Sequence, residues 1–382
     1  MENMILICTN DHPSIVRICK FIENVAKDYF QTEINYVPKV SKGRYIIYST
    51  KLVIKLLKNK TEYILMVEPW YPSVFLSILP FSRIKLLYYS GNINYDVLLK
   101  LGHNKYLVSI LRKMEFTIIR RSKVIMSNSM ALIQFFTSHN KRASKYYVPE
   151  FIYETGDINS VKSLDELKAN NSEEKNIHSI GYLAKFHLEM VGNRILPRGW
   201  ELIDVAKRLI KKGFKDFRIE FIGDGPGLPE IKRLVQKEGL TEYFVFFGYV
   251  GDSAKKEYLA SLDVGYSEDY LGYLTHKFNL SAKVEEYMLA GVPVVTGTQG
   301  DKAQVIANKN MPCGICIEPL NESISEDFER YLDDLTVSIA KILQDSSLRS
   351  ELKNNCLIVA ENLFSSGSIR RTLQSVFSSL SA

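Results

Sequence analysis

The stretch from Asn279 to Gly297 holds residues that could bind a phosphorylated ligand. After Ser281, a residue type that often caps a helix, apolar residues recur at helical spacing. A helix start presents unpaired backbone N–H groups and the positive end of the helix dipole, so it suits a phosphate. One turn further on, Glu286 offers a carboxylate that could accept hydrogen bonds from a vicinal diol such as a ribose. The alternative is an ordinary amphipathic helix with Glu285 and Glu286 in solvent.

Two loops that follow apolar runs add further candidates. Gly223-Asp224-Gly225-Pro226 comes after RIEFI and before a helical pattern, which is typical of a tight turn between a strand and a helix. Near the start, Asp11 and His12 come after MILIC and before an amphipathic helix, so they lie at the carboxyl end of a predicted strand. That loop lacks the glycines of a dinucleotide fingerprint, which disfavours a hydride-transfer enzyme.

The elements that must position these residues alternate along the whole chain. In the first half the sequence predicts strands at MILICT, INYVP, EYILMVEP, IKLLYYSG and KVIMSNS, with helical stretches between them. In the second half it predicts strands at HSIGYL, RIEFI, YFVFFGYV, DVGYSE, VVTG and GICIEP. Such alternation predicts α/β domains with parallel sheets, which bind ligands at the carboxyl ends of their strands.

Length and charge distribution indicate two domains. The chain has 382 residues, 46% of them apolar and 24% charged, as in globular proteins. Residues 1–150 hold 22 Lys and Arg against 10 Asp and Glu, whereas the remainder holds 27 against 33. A polar stretch from Glu150 to Ile177 is the predicted linker. We expect domains at 1–165 and 176–365, followed by a helix within 366–382 that crosses back to the first domain.

Two predicted helices in the first half are unusually basic, one at about 43–60 and one at about 105–123. Such a helix either lies on an anionic membrane surface or presents a solvated face above a core. No nucleic-acid partner is expected, because no motif of that kind appears. No apolar run is long enough to span a membrane, and five scattered cysteines favour a reducing compartment. The prediction is a cytoplasmic protein, free or peripheral on the inner face of the membrane.

The second half resembles the carboxyl-terminal domain of the GT-B glycosyltransferases, especially glycosyltransferase family 4. The resemblance is carried by GYL, PRGWELIDVAKRL, IEFIGDGPGLPEIKRL, VFFGYV, YLASLDVGYSE and AKVEEYMLAGVPVVTGTQG, in the family's order between about Ile180 and Ile306. The first half is similar only as an architecture. The resemblance implies two Rossmann-like domains whose parallel sheets face a central cleft, the second domain binding a nucleotide sugar.

The resemblance also implies roles for individual residues. Glu286 is the second Glu of a Glu-x7-Glu motif and would bind the ribose, while its helix directs its amino end at the distal phosphate. In the family an Arg and a Lys-Gly pair hold the pyrophosphate, which stabilises the leaving group as it gains charge. Arg198-Gly199 stands at the Lys-Gly position here, and Tyr182 replaces the other Arg. Lys185 and Arg194 are both candidates for the missing charge.

The rest of the donor site follows from the same resemblance. Gly223 and Gly225 would line the nucleotide pocket, and the backbone of the next loop would contact the base. Because no Asp-x-Asp ends a predicted strand, we expect no metal and no cofactor, only a UDP- or GDP-linked sugar as substrate. Besides the residues already given, the predicted donor-binding set contains Gly248, Tyr249, Val250, Asn279, Leu280, Ser281 and Lys283.

The chain departs from the family at the first Glu of the motif. Phe278 stands eight residues before Glu286, where the family's carboxylate contacts hydroxyls of the sugar. Phe cannot accept those hydrogen bonds, so Glu268, Asp269 or the backbone N–H groups of 279–281 are alternative contacts. Loss of activity is a further alternative.

A second departure concerns the acceptor side. The first-domain strand that usually supplies a His near the transferred sugar ends here in Tyr89-Ser90-Gly91-Asn92. His12 and His103 are the candidate replacements. The predicted catalytic residues are Arg198, His12 and Asp11.

The sequence thus predicts a hexosyltransferase that moves a sugar from a nucleotide diphosphate to a saccharide or lipid-linked acceptor, with retention of configuration by analogy with the family. A pathway of polysaccharide synthesis would fit such an acceptor. Phe278 favours one alternative, a non-catalytic partner subunit of the same fold. The other is a nucleotide-sugar epimerase, which the basic first half disfavours.

Overall fold

The structure is a computed structural model, which describes residues 1–8, 13–37, 51–56, 58–68, 84–100, 102–149, 177–191, 194–251, 255, 258–267, 278, 280–320 and 326–381. The chain forms two compact units. Unit 1 comprises Met1–Ile152 and Ser366–Ala382, and unit 2 comprises Tyr153–Ser365.

Unit 1 contains a six-stranded parallel sheet in the order β2-β1-β3-β4-β5-β6. The apolar run at 63–67 is buried at every position, because helices cover both faces of a parallel sheet. Among the described residues, the helices of this unit before the linker include α1 Pro13–Ala26, α2 Asn94–Lys100, α3 Lys105–Arg121 and α4 Met130–Ser138. The strands are β1 Asn3–Cys8, β2 Gln31–Tyr36, β3 Tyr63–Val67, β4 Lys85–Tyr89, β5 Ser122–Ser127 and β6 Ser144–Tyr147.

Unit 2 contains a second six-stranded parallel sheet and a separate hairpin. The strands are β7 His178–Leu183, β8 Leu188–Val191, β9 Arg194–Pro197, β10 Phe217–Ile222, β11 Phe244–Gly248, β12 Val264–Tyr266, β13 Val294–Gly297 and β14 Gly314–Ile317. The sheet order is β11-β10-β7-β12-β13-β14, while β8 and β9 pair antiparallel. The predicted α/β class with two parallel sheets is confirmed.

In the described part of unit 2, the helices include α5 Glu201–Lys211, α6 Leu228–Lys237, α7 Ala282–Leu289, α8 Asp301–Val305, α9 Glu326–Gln344 and α10 Ser346–Phe364. Helix α5 buries an apolar stripe that includes Leu202, Val205 and Leu209 in the core of unit 2. This spacing of three and four residues is the helical period that the sequence shows.

The last helix, α11 Ser366–Ser381, belongs to unit 1 although it follows the whole of unit 2. Its apolar side chains, including Leu373 and Phe377, join the core of the first sheet. The rings of Phe377 and Phe30 meet edge to face at 5.8 Å, and the Tyr63 hydroxyl donates to the Leu380 carbonyl at 2.8 Å.

Three local features differ from the sequence predictions. Strand β6 and the β8–β9 hairpin were not predicted, because β6 is a short, largely exposed edge strand and the hairpin lies inside a connection. The predicted strand at 243–250 begins one residue later, after a 3₁₀ turn at Thr241–Tyr243. The first basic helix, at about 43–60, lies partly outside the described residues, and residues 51–56 are helical.

Candidate active site: a cavity at the edge of the second sheet

The carboxyl ends of β7, β10 and β11 border a cavity of about 550 Å³ within unit 2. Helix α7 supplies another part of its wall. Strand ends of a parallel sheet converge at one edge, which explains how loops distant in sequence meet there. The residues that line it are Leu183, Ala184, Lys185, Ile222, Gly223, Asp224, Gly225, Tyr249, Val250, Lys255, Ala282, Lys283 and Glu286.

A glycine turn forms one wall of the cavity. Gly223 and Gly225 have φ angles of +128° and +151°, which side-chain-bearing residues rarely adopt. A Cβ atom at Gly223 would overlap the carbonyl oxygen of Ala184, and one at Gly225 would overlap that of Phe186. The Gly223 N–H donates to the Gly248 carbonyl at 2.8 Å. These contacts bring the loops after β7, β10 and β11 together.

The amino end of α7 forms another wall. Ala282 and Lys283 in its first turn line the cavity, so the positive end of the helix dipole lies beside it. Ser281 is the N-cap residue by position, but its side chain makes no capping hydrogen bond. The predicted N-cap position is therefore confirmed, without the side-chain hydrogen bond that such a residue often makes. With φ at +78°, Ser281 instead adopts a conformation that is uncommon outside glycine.

Tyr182 connects α7 with the turn that carries Arg198. The Lys283 ammonium lies 5.0 Å from the centre of the fully buried Tyr182 ring, a cation–π contact. On the same ring, a Cβ at Gly199 would lie 2.5 Å from Cε1, which shows how closely the Arg198-Gly199 turn packs there. The resemblance implied an arginine at position 182 of β7. Tyr182 stands there instead, and its ring contacts the Lys283 ammonium, a cation from α7.

Glu286 forms an ion pair inside the cavity. Its Oε1 accepts from Lys255 Nζ at 2.8 Å, and the two side chains are 14% and 20% exposed. Sequence analysis missed Lys255, because nothing in the sequence places the segment after β11 beside α7. Three lysines and two carboxylates therefore line the cavity, a combination that suits an anionic ligand bearing hydroxyl groups.

The structure brings together seven of the predicted donor-binding residues in this cavity: Lys185, Gly223, Gly225, Tyr249, Val250, Lys283 and Glu286. Four others are described but do not line it, namely Arg198, Gly248, Leu280 and Ser281. Of these, the Gly248 carbonyl accepts the hydrogen bond from the Gly223 N–H, and Leu280 is buried. Asn279 and the predicted catalytic residues Asp11 and His12 lie outside the described residues.

The alternatives weighed for the sugar and the acceptor are located as follows. Phe278 is half-buried, and its carbonyl accepts from the Asp301 N–H at 3.2 Å. Glu268 and Asp269 lie outside the described residues, as does the side chain of Arg194. His103 is exposed on the turn after α2. Within the described ranges, no group of three or more His, Cys, Asp or Glu side chains is arranged to hold a metal ion.

Comparison with solved structures defines the fold class. The structure of Anabaena HepE in complex with UDP matches with a TM-score of 0.67 and 16% identity, over 99% of this chain and 100% of HepE. HepE in complex with UDP-glucose matches with a TM-score of 0.63. Sucrose-phosphate synthase from Thermosynechococcus elongatus matches with a TM-score of 0.65 and 12% identity, over 100% and 99% of the two chains. The fold is that of the GT-B glycosyltransferases.

Comparison of sequences is consistent with that class. Residues 191–334 match the model of the family described as glycosyl transferases group 1, so this chain carries a domain of that family. The 2-deoxystreptamine glucosyltransferase of Streptomyces kanamyceticus is 26% identical over 152 residues. That alignment covers 40% of this chain and 38% of the relative.

Proposed function

We propose that the protein transfers a hexose from a UDP-linked sugar to a saccharide or lipid-linked acceptor. The observation that carries this is the cavity of unit 2, which is lined by a helix start, glycine turns, three lysines and Glu286. UDP is favoured over GDP because the HepE structures are complexes with UDP and UDP-glucose. Retention of configuration is the expected outcome by analogy with the family.

In this proposal the pyrophosphate, ribose and base of the donor bind to different walls of the cavity. The pyrophosphate lies at the amino end of α7, near Lys283 and Lys185, where the helix dipole and the ammonium groups offset its charge. The ribose diol donates to Glu286. The base lies against the loop of Tyr249 and Val250. Tyr249 is 81% exposed at the cavity rim, so its ring face is accessible for stacking.

The chemistry follows from charge development on the leaving group. When the bond from the sugar to the phosphate breaks, negative charge grows on the departing nucleoside diphosphate. Cations placed there in advance stabilise that charge more in the transition state than in the ground state. Lys283 and Arg198 both belong to segments that pack on Tyr182, so we assign this role to them.

The decisive experiment measures donor cleavage and nucleotide binding by the full chain. Incubated with a panel of UDP- and GDP-linked hexoses, it should release UDP from at least one donor. Glu286→Ala and Arg198→Ala should each weaken UDP binding about tenfold or more, since each removes a charged hydrogen-bonding group. Lys232→Met is the control, because Lys232 lies over the Phe246 ring and does not line the cavity.

The same measurements separate the alternatives. UDP binding without cleavage of any donor would favour a non-catalytic partner subunit, as Phe278 in the first Glu position would suggest. Conversion of one free nucleotide sugar into its epimer would favour an epimerase. Unchanged UDP affinity in both Glu286→Ala and Arg198→Ala would contradict the site assignment.

For the acceptor side we propose contact between helix α3 and an anionic membrane surface. Tyr106 and Ile110 are 84% and 56% exposed, and with Lys113 they lie at positions i, i+4 and i+7 of one helix face. In the described part of the chain, no helix has the length and apolar character needed to cross a bilayer. Co-sedimentation with anionic vesicles, lost in a Tyr106→Ser, Ile110→Ser variant, would support this contact. Equal binding by the variant would contradict it.

A further inference from the structure

The ion pair between Lys255 and Glu286 joins two parts of the cavity wall that are distant in sequence. Lys255 lies in the helical segment after β11, whereas Glu286 lies on the second turn of α7. The 2.8 Å bond between them runs from one wall to the other, and both side chains are mostly buried. Both residues also line the cavity itself, so the pair would lie beside a ligand bound there.

A paired carboxylate differs from an unpaired one because its partner fixes its orientation and offsets its charge. A mostly buried carboxylate loses hydration, and a lysine at hydrogen-bond distance offsets that loss while holding one oxygen in a fixed direction. An ionised carboxylate has about four acceptor positions on its two oxygens, so a bond to Lys255 does not exhaust them. Glu286 can therefore accept from Lys255 and from a ligand hydroxyl together.

The backbone ties Lys255 to the loop assigned to the base. The Lys255 N–H donates to the carbonyl of Gly251 at 2.9 Å, and Gly251 directly follows Tyr249 and Val250 in the chain. The two lysines assigned to the pyrophosphate, Lys185 and Lys283, come from other segments, after β7 and at the start of α7. The ion pair with Glu286 and the backbone bond to Gly251 therefore associate Lys255 with the end of the cavity assigned to the nucleoside.

We propose that Lys255 is a positioning residue that directs the Glu286 carboxylate at the ribose diol, so that the site selects ribonucleotides over nucleotides lacking the diol. This rests on the proposed function, in which Glu286 receives the ribose. Lys255 acts through Glu286, and its contribution appears in selectivity for the diol. A lysine that binds phosphate would instead contribute equally to nucleotides with and without a diol.

The experiment measures the dissociation constants of UDP and of 2′,3′-dideoxyuridine diphosphate by calorimetry. Their ratio is the diol selectivity, which we expect to be about thirtyfold in the wild-type chain, since a hydrogen bond to a charged group is worth about tenfold or more. Lys255→Met should reduce the ratio about tenfold while changing the affinity for the dideoxy nucleotide less than about threefold. Lys255→Arg should restore part of the ratio.

Three further variants make the result specific. Glu286→Gln should reduce the ratio as Lys255→Met does, and the double variant should reduce it no further, since the two residues act as one unit. Lys185→Met should weaken both nucleotides equally and leave the ratio unchanged.

The outcomes distinguish this inference from the proposed function. Equal weakening of both nucleotides by Lys255→Met would make Lys255 a phosphate-binding cation and overturn the inference. The inference would also be overturned if Glu286→Gln abolished the ratio while Lys255→Met and Lys255→Gln left it intact. The proposed function would still stand in that case. Failure of the wild-type chain to bind UDP would overturn the proposed function and the inference with it.

Discussion

The two parallel sheets end their strands in different ways at their carboxyl edges. In unit 2 the loops approach through glycine backbone, and the lysines and Glu286 face a cavity. In unit 1, among the described residues, polar side chains join the strand ends. Fully buried Glu68 follows β3, accepts from the Ser90 hydroxyl at 3.0 Å and accepts from the Gly91 N–H at 2.5 Å.

This difference shows two uses of polar groups at the same position in a fold. The Glu68 carboxylate serves the protein itself, since it fixes the turn after β4 and is removed from solvent. Burial also raises the pKa of the neighbouring Tyr88 well above its ordinary value, with the charges of Glu115 and Glu68 adding to the effect. The Tyr88 hydroxyl therefore stays protonated and donates to the Glu115 carboxylate at 2.9 Å. At the edge of unit 2, backbone contacts close the turns, and charged side chains line the cavity.

The largest effect is expected where backbone closes a turn. Gly223→Ala should lower the free energy of unfolding by about 3 kcal/mol or more, because the new Cβ meets the Ala184 carbonyl at an unfavourable φ. Urea denaturation of the full chain measures this. Gly239→Ala is the matched control, with φ at +69° and open space around its Cβ, and should cost about 1 kcal/mol. Equal costs in the two variants would show that the turn does not depend on close backbone packing.

An intermediate effect is expected where a side chain closes a turn. Glu68→Gln should lower the free energy of unfolding by about 2 kcal/mol, since an amide group replaces an oxygen that accepts from Ser90 or Gly91. UDP affinity should not change. Glu33→Gln, at a partly exposed ion pair with Lys55 in the same unit, should cost about 0–1 kcal/mol. A loss of UDP affinity in Glu68→Gln without a loss of stability would remove the contrast between the two edges.

The smallest effect is expected at the rim of the cavity. Tyr249→Ala should leave the free energy of unfolding within about 0.5 kcal/mol of wild type, because the side chain is 81% exposed. It should weaken UDP binding by about 1 kcal/mol, the lower end of what a stacked base contributes. Tyr249→Phe keeps the ring and should retain wild-type affinity in the same titration. A full loss of affinity in the Phe variant would assign the contribution to the hydroxyl.

Local patterns predicted most of the fold. The apolar run at 63–67 became a central strand, because a parallel strand covered on both faces is apolar at nearly every position. Glu286 could be placed on a helix after Ser281 from the spacing of apolar residues alone. Other features lack such a signal. Strand β6 is a short edge strand, and the side chain of Ser281 does not cap the helix that its residue type suggested.

The sequence by itself determined most of the helices and strands and where glycines permit tight turns, because these depend on neighbours within a few positions. It also carried the family resemblance that a matching domain at 191–334 confirms. Only the tertiary structure decided that Lys255 meets Glu286, that Lys283 lies over Tyr182 and that seven predicted residues line one cavity. Those contacts join segments up to about a hundred residues apart, and they form only when the strands of the sheet assemble in their final order.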